Sequence, residues 1–421
     1  MKKNIIPDTS TLNRIPKVVA ERKLKDRNGK VVTTKVTVPA HQLSNVDHTE
    51  VVYTQSMKGV PQNLFRNQGA KFSATLEQKS FAKIVSMCIR IEVTHDQGET
   101  ELVCVPPTYW FNRIEFRASD GSKYLNIIYD DNMHFSMITS PHNIYKSNKQ
   151  LIGIGRDDPE YWNVHLSSRD QVHLPLLGSW IENADLWFKN IQGDIVVDFY
   201  PRNNLISEGQ QGEITAQTME FVIQTEDLDD KEMALQNAFH STTAAETHFL
   251  DIVPVNFYNE RLSPLTQTKL EMDAVEGDIA FLAVYVRPRV AGSNIVNPLD
   301  IGSKARIDIL TPGSKSILGA GTGISLDYLK HFVLPQHTEN EFLIDHDNII
   351  IVPFCSSVTK AFFGVKSGSM YLDGSRYYLS LTPDETFVNG EYDVTIYAYK
   401  YASLLNNKGR ISIHYPRSQG R

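Results

Sequence analysis

Apolar and polar residues alternate along much of this chain, and the alternation is clearest in residues 106–116, PPTYWFNRIEF. Pro106 and Pro107 end whatever precedes them, because proline cannot donate a ladder hydrogen bond. The run that follows has the period of two that is typical of a β-strand. One face carries Trp110, Asn112, Ile114 and Phe116, and the other carries Tyr109, Phe111, Arg113, Glu115 and Arg117. The pattern predicts a strand whose Trp110, Ile114 and Phe116 face a protein core.

The residues after this strand predict a hairpin that leads into a helix. Asp120-Gly121 forms the turn, because glycine readily adopts positive φ, and residues 123–129 resume as a second strand. Asp130-Asp131 then caps a short helix that runs through Met133, Met137 and Ile138.

Short strands separated by turns recur along the rest of the chain. Strands are predicted at residues 71–76, 83–93, 102–105, 172–177, 184–188, 193–200, 214–225, 252–258, 269–272, 279–286, 306–310, 349–354, 361–365, 377–381 and 392–401. The strand at 279–286 is apolar on both faces, so we expect both faces to be buried. Helices are predicted at 227–240 and after Ser325, through Leu326, Leu329 and Phe332, while residues 140–169 read as loop.

The two halves of the chain share one order of elements, which indicates a duplication. Residues 201–213 are polar and contain two glycines, which is typical of a boundary. Many short strands and few helices predict an all-β fold with two tandem sandwiches or jelly rolls. The expected division is an arm at 1–45, a first jelly roll at 46–205, a second at 206–405 and a tail at 406–421.

Composition adds a basic N-terminal arm to this picture. The whole chain of 421 residues has a formal net charge of -7, which argues against a basic nucleic-acid binder. The arm is the exception, and its basic residues include Lys2, Lys3, Arg14, Lys17, Arg22, Lys23, Lys25 and Arg27. Residues 1–30 carry no strand pattern, so we expect the arm to be ordered only by a partner. An ordinary solvated terminus is the alternative.

The cysteines and the absence of export signals indicate where the protein is made. Three scattered cysteines do not form a disulfide framework and fit a reducing compartment. We find no apolar N-terminal signal and no run long enough to span a bilayer. We therefore expect a protein made inside a host cell and not secreted.

A search for catalytic chemistry gives no convincing site. The thirteen histidines contain no His-x-His pair, which a cupin metal site would require. Asp345-His346-Asp347 cannot converge from one strand, and the glycines at 319, 321 and 323 lack the Lys-Ser/Thr ending of a phosphate loop. An acidic loop near Asp157 is usually surface. We expect no catalytic, metal-binding or cofactor-binding residues, no cofactor and no enzyme activity.

Two segments carry a resemblance to a known family. The first segment resembles the first jelly roll of double jelly-roll major capsid proteins. It comprises residues 109–116, the Asp120-Gly121 turn and the 124–129 strand that runs into a helix. These capsid proteins build tailless icosahedral viruses, including virophages, polinton-like viruses and membrane-containing phages. Tyr397-Ala-Tyr399-Lys-Tyr401, with residues 404–409, is similar to the end of their second jelly roll.

The resemblance implies two eight-stranded jelly rolls that stand side by side in a virion shell. It implies a homotrimeric, pseudo-hexagonal capsomer, with neighbouring capsomers, penton proteins and minor capsid proteins as partners. An internal lipid membrane is a further partner for the inward-facing arm, and no sequence-specific nucleic acid is expected. The alternative function is a carbohydrate-binding or carbohydrate-active β-sandwich, since aromatic residues can stack on sugars. A bicupin metalloenzyme is a third interpretation, against which the missing His-x-His counts.

Overall fold

The structure is a computed structural model. It describes residues 19–25, 31–37, 49–66, 71–77, 83–97, 101–118, 124–139, 163–176, 193–206, 212–227, 245–273, 275–289, 296–319, 321–338, 348–362, 364–407 and 410–415. The chain divides into two compact units, Met1–Thr49 and Glu50–Arg421.

The first unit contains an antiparallel hairpin of β1 (Val19–Lys25) and β2 (Val31–Thr37). Val19 pairs with Thr37 and Lys25 pairs with Val31. The expectation that residues 1–30 form no strand is therefore wrong for Val19–Lys25. Pairing with β2 supplies backbone hydrogen bonds that the sequence pattern of β1 alone does not predict. Of the predicted basic residues, Arg22, Lys23 and Lys25 lie on β1, and Lys2, Lys3, Arg14, Lys17 and Arg27 lie outside the described residues.

The first jelly roll is built from two four-stranded antiparallel sheets. Its strands are β3 (Thr49–Ser56), β4 (Phe72–Leu76), β5 (Lys83–His95), β6 (Leu102–Cys104), β7 (Phe111–Ala118), β8 (Tyr124–Tyr129), β9 (Val164–Leu166), β10 (Arg169–Pro175), β11 (Ile195–Pro201) and β12 (Ile214–Asp227). One sheet has the order β10-β5-β12-β3 and the other β4-β11-β7-β8, while β6 and β9 pair separately.

The second jelly roll repeats this arrangement. Its strands are β13 (Ala245–Leu262), β14 (Thr268–Glu271), β15 (Glu276–Pro288), β16 (Arg306–Leu310), β17 (Ile324–Ser325), β18 (Ile350–Pro353), β19 (Met370–Asp373), β20 (Tyr378–Thr382), β21 (Gly390–Asn407) and β22 (Arg410–His414). The sheets run β13-β21-β15-β18, extended by β19 and β22, and β14-β20-β16-β17. The predicted all-β fold of two tandem eight-stranded jelly rolls is confirmed.

The described helices are short and lie between strands. Helix α1 is Asp130–Thr139. Helix α2 spans residues 326–337 as Leu326–Tyr328, a π-helical Leu329–Val333 and Leu334–His337, and α3 is Val358–Phe362. The predicted cap of α2 is confirmed, because the Ser325 side chain accepts a hydrogen bond from the Tyr328 N–H. Among the described helices, none combines the length and apolarity that crossing a bilayer requires.

Four of the expected elements differ in the structure or fall outside the described residues. The strand expected at 361–365 is wrong, because α3 contains its first two residues and residues 364 and 365 are not in a strand. Ser357 starts that helix by accepting a hydrogen bond from the Lys360 N–H at 3.1 Å. Of the helix expected at 227–240, Asp227 is the last residue of β12, and the other residues lie outside the described residues, as does the strand expected at 184–188. The loop expected at 140–169 lies outside the described residues up to 162, and it is wrong for Val164–Leu166 and Arg169, which are in β9 and β10.

The expected domain boundaries also need correction. β12 pairs with β5, so it closes the first jelly roll and does not begin the second. Residues 201–213 are therefore a connection between two strands of one jelly roll, and the second begins with β13. At the other end, β21 continues to Asn407 and pairs with β22, so the tail expected from residue 406 contains a strand.

The aromatic strand is more deeply buried than its alternation predicts. Trp110, Ile114 and Phe116 have no exposed surface, but neither do Tyr109 and Phe111. Tyr109 ends a 3₁₀ turn, Pro107–Tyr109, so it is not part of the strand. The pairing with β11 shifts between Tyr200 and Pro201, which is a bulge that turns Phe111 to the same side as Ile114. The expected polar face therefore starts later than the sequence suggests.

Trp110→Ala tests the importance of this packing. Trp110 contacts Phe65 edge-on at 5.5 Å, and its Nε1–H donates to the Val105 carbonyl at 3.0 Å. The substitution should lower the free energy of unfolding by about 3–5 kcal/mol, because it leaves a large cavity. Val388→Ala is the control, because Val388 is 73% exposed. Urea denaturation measures both, and an unchanged midpoint for Trp110→Ala would contradict the packing.

Candidate functional site: the joint between the two jelly rolls

The first turn of α1 places two adjacent carboxylates between the two jelly rolls. α1 follows directly after β8, and Asp130 and Asp131 occupy its first two positions. Asp130 Oδ1 accepts a hydrogen bond from the Asp131 N–H at 2.8 Å. Negative charge is favourable at a helix N-terminus, where the backbone N–H groups have no intrahelical partner. The negatively charged N-terminal end of α1 therefore lies against the second jelly roll.

Asp131 is the centre of the joint. Its carboxylate forms a two-pronged ion pair with Arg287 of β15, in which Arg287 Nη1 lies 3.0 Å from Oδ2. The Tyr109 hydroxyl donates to Oδ1 at 2.9 Å, and the Tyr397 hydroxyl of β21 donates to Oδ2 at 3.0 Å. Asp131 is only 3% exposed. One carboxylate therefore ties together a turn and a helix of the first jelly roll and two strands of the second.

Burial strengthens these interactions and shifts the pKa values of the groups that make them. Burial, followed by the Asp131 charge, raises the pKa of Tyr109 and of Tyr397 well above the ordinary value, so both hydroxyls stay donors. Burial alone would lower the pKa of Arg287, but the Asp131 carboxylate raises it, so the guanidinium stays charged.

Asp130 is held differently. Its carboxylate forms an ion pair with Arg202, which follows β11. Burial, with the neighbouring Asp131 charge, raises the pKa of Asp130 to about 6. Arg202 also donates from Nε to the Tyr109 carbonyl at 3.0 Å, so it joins the two ends of the network within the first jelly roll.

An aromatic layer continues the joint one helical turn further on. Phe135 lies 5.9 Å from Phe281 and 5.7 Å from Tyr399, measured between ring centroids. Phe281 and Tyr399 stack on each other at 4.1 Å. These rings belong to an apolar cluster that runs from the interior of the first jelly roll to the outer face of the β13-β21-β15-β18 sheet. A separate cluster fills the second jelly roll.

The arrangement suits a structural role. The ionised groups of the joint are committed to one another, and the surrounding rings exclude water. In the parts of the chain that the structure describes, no cluster of three or more His, Cys, Asp or Glu side chains could hold a metal ion. The acidic loop near Asp157 and the group around His346 lie outside the described residues.

Sequence reasoning located the joint only in part. Trp110, Ile114 and Phe116 support the core of the first jelly roll beside it and do not enter it. Asp131 was expected only as a helix cap. Arg287 and Tyr397 were not identified, although an arginine that follows a doubly buried strand and a run of alternating tyrosines are the signals that could have pointed to them.

Comparison with known proteins shows which fold this is. No protein-family model and no curated protein sequence matches the chain. Three solved structures are similar over most of its length. They are a quasi-atomic model of the PBCV-1 virus capsid (TM-score 0.62, 11% identity, 88% of this chain and 98% of that one), the Faustovirus major capsid protein (0.57, 8%, 88% and 92%) and a chain of the Sputnik virophage (0.52, 10%, 96% and 94%). The chain therefore has the double jelly-roll fold of these viral proteins.

Removing Arg287 tests the joint. Arg287→Met should cost about 3–5 kcal/mol of stability, because it leaves the Asp131 carboxylate buried without its counter-charge. Combining it with Asp131→Asn should recover much of that loss, because no charge is then left unpaired. The control is Lys304→Met, since its ion pair with Glu385 is mostly exposed and should contribute little to stability. Urea denaturation measures all four proteins, and a stable Arg287→Met variant would contradict a buried charge pair.

Proposed function

We propose that this chain is a major capsid protein of a tailless icosahedral virus and that it acts by self-association without catalysing a reaction. The observation that carries the proposal is the double jelly roll itself, two similar sandwiches joined through a buried ion pair and an aromatic layer. The likeness to viral capsid structures over most of both chains supports it.

The geometry suits a shell built from one gene product. Two similar domains in each chain and three chains in a ring give six nearly equal sides, which tile a lattice. Antiparallel sandwiches also limit the exposed strand edges that would recruit other chains unspecifically. The partners of such a capsomer are further copies of itself, neighbouring capsomers, and the penton and minor capsid proteins that close the shell.

The N-terminal arm is proposed to face inward. In the first jelly roll, β3 starts and β12 finishes at the end opposite the β11–β12 connection. In the second, β13 starts and β21 finishes at the end opposite the β20–β21 connection. β3, the strand that follows the arm in the sequence, therefore begins at that opposite end. Its basic residues give it affinity for anionic lipid headgroups, worth about 1 kcal/mol for each residue near the surface.

The mass of the purified protein tests the main proposal. Light scattering should give a particle of three chains that persists on dilution, because obligate interfaces bury more than about 2,000 Å². A folded monomer at micromolar concentration would contradict the proposal. Clear binding on a glycan array or hydrolysis of a glycan would favour the carbohydrate-related alternative instead.

Neutralising the arm tests its role separately. Changing its eight basic residues (Lys2, Lys3, Arg14, Lys17, Arg22, Lys23, Lys25 and Arg27) to glutamine should leave the trimer intact but abolish sedimentation with vesicles that contain phosphatidylserine. The parent protein should bind these vesicles less strongly as salt is raised, because salt screens exposed charges. Vesicles of phosphatidylcholine alone are the control. Equal binding by parent and variant would show that the arm does not recognise lipid.

A further inference from the structure

The end of the second jelly roll that lies opposite the start of β13 exposes apolar side chains. Two loops meet at this end, because residues 263–267 join β13 to β14 and residues 383–389 join β20 to β21. Leu265 is 71% exposed, Val388 is 73% exposed, and Tyr258, near the end of β13, is 69% exposed. Among the described residues these are the three most exposed large apolar side chains. We call Tyr258 and the two loops the tip.

Hydrogen bonds fix the two loops of the tip to one another. The Leu265 N–H donates to the Pro383 carbonyl at 2.9 Å, and the Ser263 hydroxyl donates to Asn389 Oδ1 at 2.8 Å. The Val388 carbonyl accepts a hydrogen bond from a tyrosine hydroxyl of β21 at 2.6 Å. Leu265 and Val388 are therefore presented to solvent on a fixed backbone, so a partner that binds them loses little free energy to ordering the loops.

Leu265 is held in a backbone conformation that leucine disfavours. Its φ is 55°, and the other described non-glycine residues with positive φ are Asn204, Asn259 and Ser314. A side chain in this conformation crowds the following carbonyl, and asparagine tolerates it better because its short polar side chain can form local hydrogen bonds. Folding alone would favour asparagine or glycine at position 265. A strained leucine that is exposed to solvent therefore points to a role outside the fold.

The corresponding loop of the first jelly roll does not expose its apolar residues. The loop that follows β3 buries Met57, Leu64 and Phe65, and Phe65 packs against Trp110 at 5.5 Å. An open apolar tip is thus a property of the second jelly roll and not a general consequence of the fold.

The surroundings of the tip are acidic. The turn at 299–304 belongs to this end of the jelly roll, because the Asp384 N–H donates to the Ile301 carbonyl at 3.1 Å. In residues 258–266, 299–304 and 383–393, six carboxylates against two basic residues give a formal net charge of -4, compared with -7 for the whole chain. The carboxylates are Glu260, Asp300, Asp384, Glu385, Glu391 and Asp393, and the basic residues are Arg261 and Lys304. A partner with complementary charge is therefore basic as well as apolar.

This chemistry selects one class of partner. Like charge disfavours anionic lipid and nucleic acid at the tip. Leu265 and Val388 are aliphatic, so they offer a sugar ring no aromatic face on which to stack. A protein groove with an apolar floor and a basic rim matches both the exposed side chains and the charge around them.

We propose that the tip of the second jelly roll is a docking site for a second protein, which receives Leu265 and Val388 in an apolar groove bordered by lysine or arginine. The site lies beyond the self-association of the proposed function. In the proposed shell the tip faces outward, because it lies at the end opposite the start of β13. Three copies in one capsomer present three tips, so a multivalent partner gains avidity even where each single contact is weak.

A peptide of defined chemistry tests the site in the full-length protein. The probe is a fluorescein-labelled helical peptide of about 14 residues, or four turns, built from lysine and leucine with the leucines on one face. Fluorescence anisotropy should show saturable binding that weakens as salt is raised, because salt screens exposed charges. The same peptide with glutamate in place of lysine is the control and should not bind.

The double variant Leu265→Asn, Val388→Asn separates binding from folding. It should weaken peptide binding by about tenfold or more, because it removes the apolar anchors without changing the net charge. Its urea midpoint should be unchanged or higher, because asparagine suits the positive φ at position 265 better than leucine does. Val52→Asn is the matched control and should not affect binding, because Val52 is 64% exposed but lies on β3 of the first jelly roll.

Three results would overturn the docking site. They are no saturable binding by the parent protein, equal binding by the parent and the double variant, and a smaller oligomer for the double variant in light scattering, which would make the tip a contact between subunits. A monomeric parent protein would instead contradict the proposed function, and the peptide measurement would still decide whether the tip binds a basic apolar segment.

Discussion

The two jelly rolls are held to one another by a buried ion pair that is energetically costly to separate. Asp131 and Arg287 come from different domains, and each is enclosed by protein. Separating the domains without full solvation would leave two unpaired charges in a poorly solvated gap, at a cost of several kcal/mol for each. The tyrosine hydroxyls that complete the carboxylate's hydrogen bonds add direction to this constraint. The ion pair therefore contributes little net attraction to stability, but it makes every other arrangement of the two domains unfavourable. By fixing one arrangement, it also determines which faces of the domains remain free.

Because the angle between the domains is fixed, the difference between their sheet faces becomes meaningful. The face that α1 covers is lined by Phe281, Tyr285, Tyr397 and Tyr399, which would aggregate if exposed. In the folded chain it is buried under α1. The equivalent face of the first jelly roll has no covering helix among the described residues and is polar. The two corresponding sheet faces thus differ in polarity, and the apolar face is the one that its own chain covers.

Much of the fold could be predicted because strand alternation is a local signal. The stretch 279–286, apolar on both faces, became a strand buried on both faces, as expected. The errors arose where a distant partner decides the conformation: β12 belongs to the first jelly roll because it pairs with β5, and Phe111 turns inward because of a bulge opposite Pro201. The joint was predicted least well. Asp131, Arg287 and Tyr397 are far apart in sequence, and no local pattern states that a helix cap on one domain will meet an arginine on another.

Asp130 shows that the joint is not a weak point in mild acid. Its pKa lies at about 6 in the folded protein, above the ordinary value of 3.8. The folded state therefore binds more protons than the unfolded chain between these two values, and the contribution of Asp130 to stability rises as the pH falls through that window. At neutral pH this carboxylate is ionised beside Asp131, and Arg202 and Arg287 are needed to balance the two negative charges. Protonating Asp130 removes its repulsion with Asp131, so the titration of Asp130 does not weaken the connection between the domains as the pH falls.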